Sequence, residues 1–179
     1  MGEHERSHPA LKAGDRVLVH AAAGGVGHVA VQIAKAGGAY VIATASAGKH
    51  AFVRSLGADE VIDYQAGDFS EAVRDVDIVL EAVGGDYGER SLRTLRPGGM
   101  LVTIVDRLNE DLARKAKEAG RRFAGVAVEP DREGLAELAR LIEAGRLSVH
   151  VERTFKLEDA ARAHRFLDTR PKGKIVLTT

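Results

Sequence analysis

The stretch AAAGGVG at residues 21–27 decides the fold of this chain. An apolar run over residues 16–20 precedes it, and a helical pattern over 26–36 follows it. A strand, a glycine turn and a helix in this order present backbone N–H groups to a nucleotide pyrophosphate. Gly24 allows the phosphates to approach, Gly25 keeps the turn open, and Gly27 lets the helix press on the strand. Ala22 replaces the usual first glycine of G-x-G-x-x-G, so the prediction depends on this context.

Short β-branched runs alternate with helical patterns along the chain, which predicts an α/β fold with a parallel sheet. The predicted strands are 16–20, 40–44, 60–63, 76–81, 99–105 and 122–128. The predicted helices between them are 26–36, 48–56, 68–74, 86–95 and 108–119. This alternation of strands and helices favours a Rossmann fold, a doubly wound six-stranded parallel sheet of order 3-2-1-4-5-6. Its ligand crevice opens between strands 1 and 4.

The composition predicts a globular protein with an aliphatic core. The chain has 179 residues, of which 45% are apolar and only 4% aromatic. Its 26 basic and 26 acidic residues cancel, so no nucleic-acid partner and no membrane partner are expected. The polar N-terminus is not a signal peptide and no apolar stretch is long enough to span a membrane, so a cytoplasmic location is expected. There is no Cys, and the seven His lack a convincing ligand spacing, so no metal site is expected.

A second glycine turn, Val83 to Gly85, follows strand 4. It is either an ordinary turn or a ligand loop, and its place at the topological switch point favours the ligand loop. Asp75 and Asp77 are interpreted as turn residues. Glu81, at the end of the strand, is a candidate for contact with a ribose.

The pattern changes beyond residue 130. Asp131 is predicted to cap a helix that runs to about Ala144. An extended piece over 149–155, a helix over 158–167 and a strand over 174–177 follow. These elements do not belong to a six-stranded nucleotide fold. Their apolar residues cannot all be covered within one sheet, so we expect them to be exposed, disordered or covered by another copy of the chain; these are Val149, Val151, Phe155, Ile175 and Leu177.

The residues after strand 2 determine which dinucleotide is favoured. An NAD site offers an acidic group to the ribose 2′-OH, whereas an NADP site lacks it and supplies cations. After Thr44 no Asp or Glu occurs before Asp59. Ser46 can donate a hydrogen bond and Lys49 can approach a 2′-phosphate, although Ser46 could be a simple helix cap and Lys49 a solvated residue. The missing carboxylate favours NADP(H) over NAD, and it counts against an S-adenosylmethionine methyltransferase.

Several linked motifs resemble the zinc-independent quinone oxidoreductases of the medium-chain dehydrogenase/reductase superfamily. They are AAAGGVGHVAVQIAK at 21–35, LGADEVIDY at 56–64, EAVGG at 81–85, LRPGG at 95–99 and GKIVL at 173–177. The resemblance runs from about Leu11 to the end of the chain. It implies a Rossmann domain that binds NADPH and transfers hydride to a quinone or to an activated C=C bond of an enone or enoyl substrate.

The resemblance also implies a set of cofactor-binding positions. Residues of the first glycine turn hold the pyrophosphate, the end of strand 2 and Tyr64 surround the 2′-phosphate, and the loops after strands 4, 5 and 6 flank the nicotinamide. Without the resemblance, Tyr64 reads as an aromatic residue packing on the sheet. The candidates are Ala23, Gly24, Gly25, Val26, Gly27, Thr44, Ser46, Lys49, Tyr64, Ala82, Val83, Gly84, Ile104 and Val128.

Enzymes of this family begin with a GroES-like catalytic domain, which this sequence does not contain. We therefore expect a loose tail over 1–10, an NADP-binding Rossmann domain over 11–145, and a segment over 146–179 that would rejoin the missing catalytic domain. No catalytic residue is predicted, and this chain alone is expected to be poorly active or inactive. The alternatives are a free-standing NADPH-binding module or sensor without turnover, and an enoyl-reductase segment of a polyketide synthase. The resemblance further implies a homodimer through residues 122–128.

Overall fold

The computed structural model describes residues 11–179, and the predicted tail over 1–10 lies outside them. A six-stranded parallel sheet of order β3-β2-β1-β4-β5-β6 forms its centre. The strands are β1 (Arg16–Val19), β2 (Tyr40–Ala45), β3 (Glu60–Asp63), β4 (Val76–Glu81), β5 (Leu95–Thr103) and β6 (Arg122–Gly125). The helices that accompany them are α1 (Gly27–Ala36), α2 (His50–Ser55), α3 (Phe69–Ala72), α4 (Tyr87–Thr94), α5 (Glu110–Glu118) and α6 (Arg132–Glu143). The predicted Rossmann fold and its strand order are confirmed.

The sheet is covered on both faces, which explains the continuous apolar runs in its strands. Val17, Leu18 and Val19 follow one another in β1 and all three are buried. Val17 and Val19 belong to one apolar cluster, and Leu18 belongs to a second cluster on the other face. Helices on both faces of a parallel sheet require this pattern.

Several predicted boundaries are wrong. The predicted fifth strand is 99–105 and the predicted sixth is 122–128, but β5 runs over Leu95–Thr103 and β6 ends at Gly125. Thr103 and Gly125 form the last register pair, so β6 stops where its only partner in the described chain stops. Asp77 is not a turn residue, because it lies inside β4 and accepts the Arg16 N–H at 2.7 Å. Asp75 lies in the segment between α3 and β4, where its backbone is left-handed with φ of 57°.

β6 forms one edge of the sheet and pairs with β5 alone among the described strands. The homodimer through residues 122–128 stays a prediction. Among residues 11–179, no helix combines the length and the apolar character needed to cross a bilayer.

The C-terminal segment forms a unit of its own. Strands β7 (Val151–Lys156) and β8 (Lys174–Thr178) pair in parallel in a separate sheet, with α7 (Ala160–Leu167) between them in sequence. Two buried polar residues of α1 attach this unit to the Rossmann sheet. Gln32 Nε2 donates to the Ser148 carbonyl at 2.9 Å and Gln32 Oε1 accepts the Ser148 N–H at 2.9 Å. The His150 N–H donates to His28 Nε2 at 3.3 Å.

The expected exposure of apolar residues in this unit is largely confirmed. Val149, Val151 and Leu177 are exposed, and Ile175 is half-buried. Phe155 is the exception: it is buried, and its ring centroid lies 5.8 Å from that of Phe166.

The capping prediction for α6 is confirmed, since Asp131 accepts the N–H groups of Glu133 and Gly134. Of the apolar residues of α6, only Leu141 is buried.

A buried histidine connects three elements at the carboxyl end of β1. His20 Nδ1 lies 3.1 Å from the Thr44 hydroxyl, and His20 Nε2 lies 3.0 Å from the Ser91 hydroxyl. Its ring contacts Phe69 and Tyr87 at centroid distances of 4.5 and 5.2 Å. Burial, assisted by the nearby Arg90 charge, lowers the pKa of His20 from 6.5 to about 3. His20 is therefore neutral in the folded protein at neutral pH.

We expect the free energy of unfolding to fall as the pH drops from 6.5 towards 3. Over this window His20 binds a proton in the unfolded chain but not in the folded one, so its contribution to stability is complete only above pH 6.5. The slope from this one group is about 1.4 kcal/mol per pH unit. Denaturant unfolding at pH 6, 5 and 4 should give a flatter profile for His20→Gln than for the wild-type chain. Parallel profiles would contradict this assignment.

Candidate nucleotide site

A cavity of about 500 Å³ opens at the carboxyl ends of β1 and β2. β1 lies between β2 and β4, so the crevice is at the point where the strand order reverses, as predicted. The lining residues are Ala21, Ala23, Gly24, Gly25, Thr44, Ala45, Ser46, Lys49, Tyr64, Val83, Leu167, Arg170, Pro171 and Gly173.

The glycine turn brings α1 against the end of β1. A Cβ on Gly27 would lie 2.3 Å from the Ala21 carbonyl oxygen and 2.7 Å from the Ala22 Cα. Only glycine fits this contact, which confirms its predicted packing role. The Gly24 N–H bonds within the turn, to the Ala21 carbonyl at 2.8 Å. In the described chain the N–H groups of Gly25 and Gly27 have no such acceptor, so they remain able to bind an anion at the N-terminus of α1.

The other end of the cavity carries positive charge and no carboxylate. Ser46 precedes a 3₁₀ turn over Ala47–Lys49, and its hydroxyl makes no capping hydrogen bond. The Lys49 ammonium donates to the Arg170 carbonyl, and Arg170 Nη1 donates to the Tyr64 hydroxyl at 3.2 Å. Partial burial, and then the charge of Arg170, lower the pKa of Lys49. The nearby Glu152 carboxylate acts in the opposite direction on this pKa, and an anionic ligand would likewise favour the charged form of Lys49.

A turn of the C-terminal unit completes the cavity. Arg170 adopts the left-handed conformation with φ of 52°, and this places its carbonyl against Lys49. The Gly173 N–H donates to the Ala23 carbonyl at 2.8 Å and so ties this turn to the first glycine turn. Gly173 also has a positive φ, of 57°, and a Cβ there would meet the His150 carbonyl oxygen at 2.2 Å.

Sequence reasoning did not assign the lining residues of the C-terminal unit, which are Leu167 at the end of α7 and Arg170, Pro171 and Gly173 in the turn. The available signal was the basic stretch RPKGK at 170–174, which overlaps the GKIVL motif.

The structure brings most of the predicted site residues together. Those that line the cavity are Ala23, Gly24, Gly25, Thr44, Ser46, Lys49, Tyr64 and Val83. Val26 and Gly27 adjoin it at the start of α1. Ala82, Gly84 and Ile104 lie in the neighbouring loops after β4 and β5, outside the lining. Val128 is 98% exposed in the loop after β6 and does not reach this cavity.

Glu81 does not present its carboxylate to a ribose. Its oxygens accept the N–H groups of Val83 and Gly84 and the hydroxyl of Thr103. The suggested ribose contact is therefore not supported.

The family model described as zinc-binding dehydrogenase matches residues 56–177, more than half of the chain. This chain belongs to that family. The resemblance to the medium-chain dehydrogenase/reductase superfamily is confirmed. Among residues 11–179, no group of three or more His, Cys, Asp or Glu side chains could hold a metal ion.

Two relatives illustrate the range of the family. The chain is 43% identical over 180 residues to the spectinabilin polyketide synthase system protein NorB of Streptomyces orinoci, covering 94% of this chain and 8% of that one. It is 38% identical over 188 residues to a 2-haloacrylate reductase of a Burkholderia species, covering 93% of this chain and 56% of the reductase.

Solved structures of the family share the fold closely. The quinone oxidoreductase of Coxiella burnetii matches with a TM-score of 0.89 and 39% identity, over 94% of this chain and 54% of that one. The Escherichia coli quinone oxidoreductase, solved in complex with NADPH, matches with a TM-score of 0.83 and 31% identity, over 97% of this chain and 60% of that one. The chain thus spans little more than half the length of the haloacrylate reductase and of the two quinone oxidoreductases.

Proposed function

We propose that this chain is the NADPH-binding part of an oxidoreductase that transfers hydride to a quinone or an activated C=C bond. One observation carries the proposal: a single cavity joins the glycine turn of α1 to a cationic end without a carboxylate. The NADPH complex of the E. coli quinone oxidoreductase, a structural neighbour, supports the choice of cofactor.

The pyrophosphate is assigned to the glycine turn. The free N–H groups of Gly25 and Gly27 and the positive end of α1 favour a negative group there. The Lys174 ammonium lies close to this turn, since a Cβ on Gly25 would lie 3.3 Å from Lys174 Nζ. Peptide N–H groups beside a cation suit a phosphate.

The 2′-phosphate is assigned to the cationic end of the cavity. Lys49 and Arg170 supply charge, and Ser46 and Tyr64 supply hydroxyl groups. An acidic residue, which would bind the 2′-OH of NAD and repel a phosphate, is missing from the lining. The site therefore selects NADP(H) over NAD(H).

The same contacts support the domain assignment. Residues 11–145 hold the dinucleotide, and residues 146–179 contribute the turn that closes over its adenosine end. NADPH supplies the hydride, while the residues of this chain bind and orient it. The names of the haloacrylate reductase and the quinone oxidoreductases support activated C=C bonds and quinones as the acceptor class. The identity with NorB favours an enoyl-reductase segment of a polyketide synthase as the second candidate.

Titration of the chain with NADPH and NADH, followed by the fluorescence of the reduced nicotinamide, tests the proposal. We expect NADPH to bind at least about tenfold more tightly, since one charge-assisted hydrogen bond to the 2′-phosphate contributes about 1.5–3 kcal/mol. Equal or tighter binding of NADH would overturn the assignment of the cationic end. A parallel assay of NADPH oxidation with a quinone or an enone tests whether this chain alone turns over, which we expect to be slow or absent.

A further inference from the structure

Glu81 is a buried ionisable residue with no direct role in the proposed cofactor contacts. It ends β4, and its side chain is 1% exposed. Its Oε1 accepts the N–H groups of Val83 at 2.5 Å and Gly84 at 2.7 Å, and its Oε2 accepts the Thr103 hydroxyl at 2.9 Å. Burying a carboxyl group carries a large desolvation cost. The hydrogen bonds that offset this cost all join groups at the carboxyl ends of β4 and β5.

Thr103, the last residue of β5, extends the hydrogen bonds of Glu81 to that strand. Its fully buried hydroxyl donates to Glu81 and accepts the N–H groups of Asp106 at 3.2 Å and Val105 at 3.4 Å. The Ile104 N–H donates to the Glu81 carbonyl at 3.1 Å. The loop after β4 and the loop after β5 are thus held from one buried point.

The loop after β4 reaches the cavity through Val83, and the loop after β5 lies beside it, outside the lining. Val83 lines the cavity and is 45% exposed, and Val105 is 50% exposed. A Val105 methyl carbon lies 3.7 Å from the place that a Cβ would take on Gly84, so the two loops lie side by side. Together they present apolar side chains, which suits the uncharged ring of reduced nicotinamide.

We propose that Glu81, acting through Thr103, is a positioning residue for the nicotinamide half of NADPH. It fixes the loops over 82–85 and 104–106 before the cofactor binds. This inference rests on the proposed function. A preorganised loop avoids the entropic cost of ordering on binding, so loosening the loops should weaken the binding of NADPH. The same change should not alter the affinity for a ligand that contains only the adenosine half.

Glu81→Gln and Thr103→Val test the network, with NADPH and adenosine 2′,5′-bisphosphate as ligands. Both variants should bind NADPH about fivefold or more weakly, as expected for the loss of one buried hydrogen bond. Their affinity for the bisphosphate should stay within about twofold of wild type. Thr103→Ser keeps the hydroxyl and should restore NADPH binding. Asp131→Asn is the matched control, since this carboxylate also accepts two backbone N–H groups but caps α6.

Amide hydrogen exchange gives a second measurement that needs no cofactor. Exchange at Val83 and Gly84 should accelerate in Glu81→Gln, and exchange at Val105 and Asp106 should accelerate in Thr103→Val. The positioning role would be overturned by equal losses of affinity for both ligands, by unchanged NADPH affinity, or by unchanged amide exchange rates in both variants. A wild-type chain that binds neither ligand would overturn the proposed function and this inference together. Failure of the variants alone would leave the proposed function standing.

Discussion

A Gly27→Ala variant should lose dinucleotide binding together with about 3 kcal/mol of folding free energy. The added Cβ would lie 2.3 Å from the Ala21 carbonyl oxygen and 2.7 Å from the Ala22 Cα. Both neighbours are backbone atoms that close the turn after β1, so no side-chain rotation can relieve the clash. Relief requires α1 to move away from the sheet, and this displaces the N–H groups assigned to the pyrophosphate.

Denaturant unfolding and NADPH titration measure the two parts of this prediction. Gly67→Ala is the matched control, because a Cβ on Gly67 meets no heavy atom within 4 Å. Its stability and its NADPH affinity should equal those of the wild-type chain. A Gly27→Ala protein as stable as Gly67→Ala would show that the turn can widen without cost. The packing explanation for the glycine would then be wrong.

The fold was predictable because its strongest signals are local. The apolar run of β1, the glycine turn and the start of α1 are contiguous in sequence, and together they define the switch point of the sheet. The ends of strands are set by their neighbours instead. β6 stops at Gly125 because β5 stops at Thr103, and no pattern within residues 122–128 reveals where β5 ends.

The site was predictable only where it follows the strands of the sheet. Ser46, Lys49 and Tyr64 come directly after β2 and β3, so their place at the crevice follows from the topology. Arg170 contacts Tyr64 across 106 positions of sequence, and this contact depends on how the C-terminal unit docks on α1. Sequence also indicated where Glu81 lies but not which way its carboxylate points. The neighbouring N–H groups of Val83 and Gly84 decide that direction.

Removing both cations from the cavity should reverse most of the preference for NADPH. We expect the double variant Lys49→Met/Arg170→Ala to bind NADPH about 100-fold more weakly, since each charge-assisted hydrogen bond contributes about 1.5–3 kcal/mol. NADH has no 2′-phosphate, so its affinity should change by less than about twofold if these residues act on that group alone. Met is chosen at position 49 because it retains the length and packing of the lysine stem.

The ratio of the two affinities separates charge from structure. Lys49 also donates to the Arg170 carbonyl, so its loss loosens the turn that closes the cavity. A loosened turn would weaken the binding of NADH and of NADPH alike, whereas loss of charge would weaken the binding of NADPH alone. The single variants and Lys117→Ala, which removes an exposed lysine of α5, complete the comparison. Added salt should reduce the NADPH advantage of the wild-type chain, because screening weakens attraction between exposed charges. If the double variant kept the wild-type ratio, the selection of NADPH would have to come from groups other than these two cations.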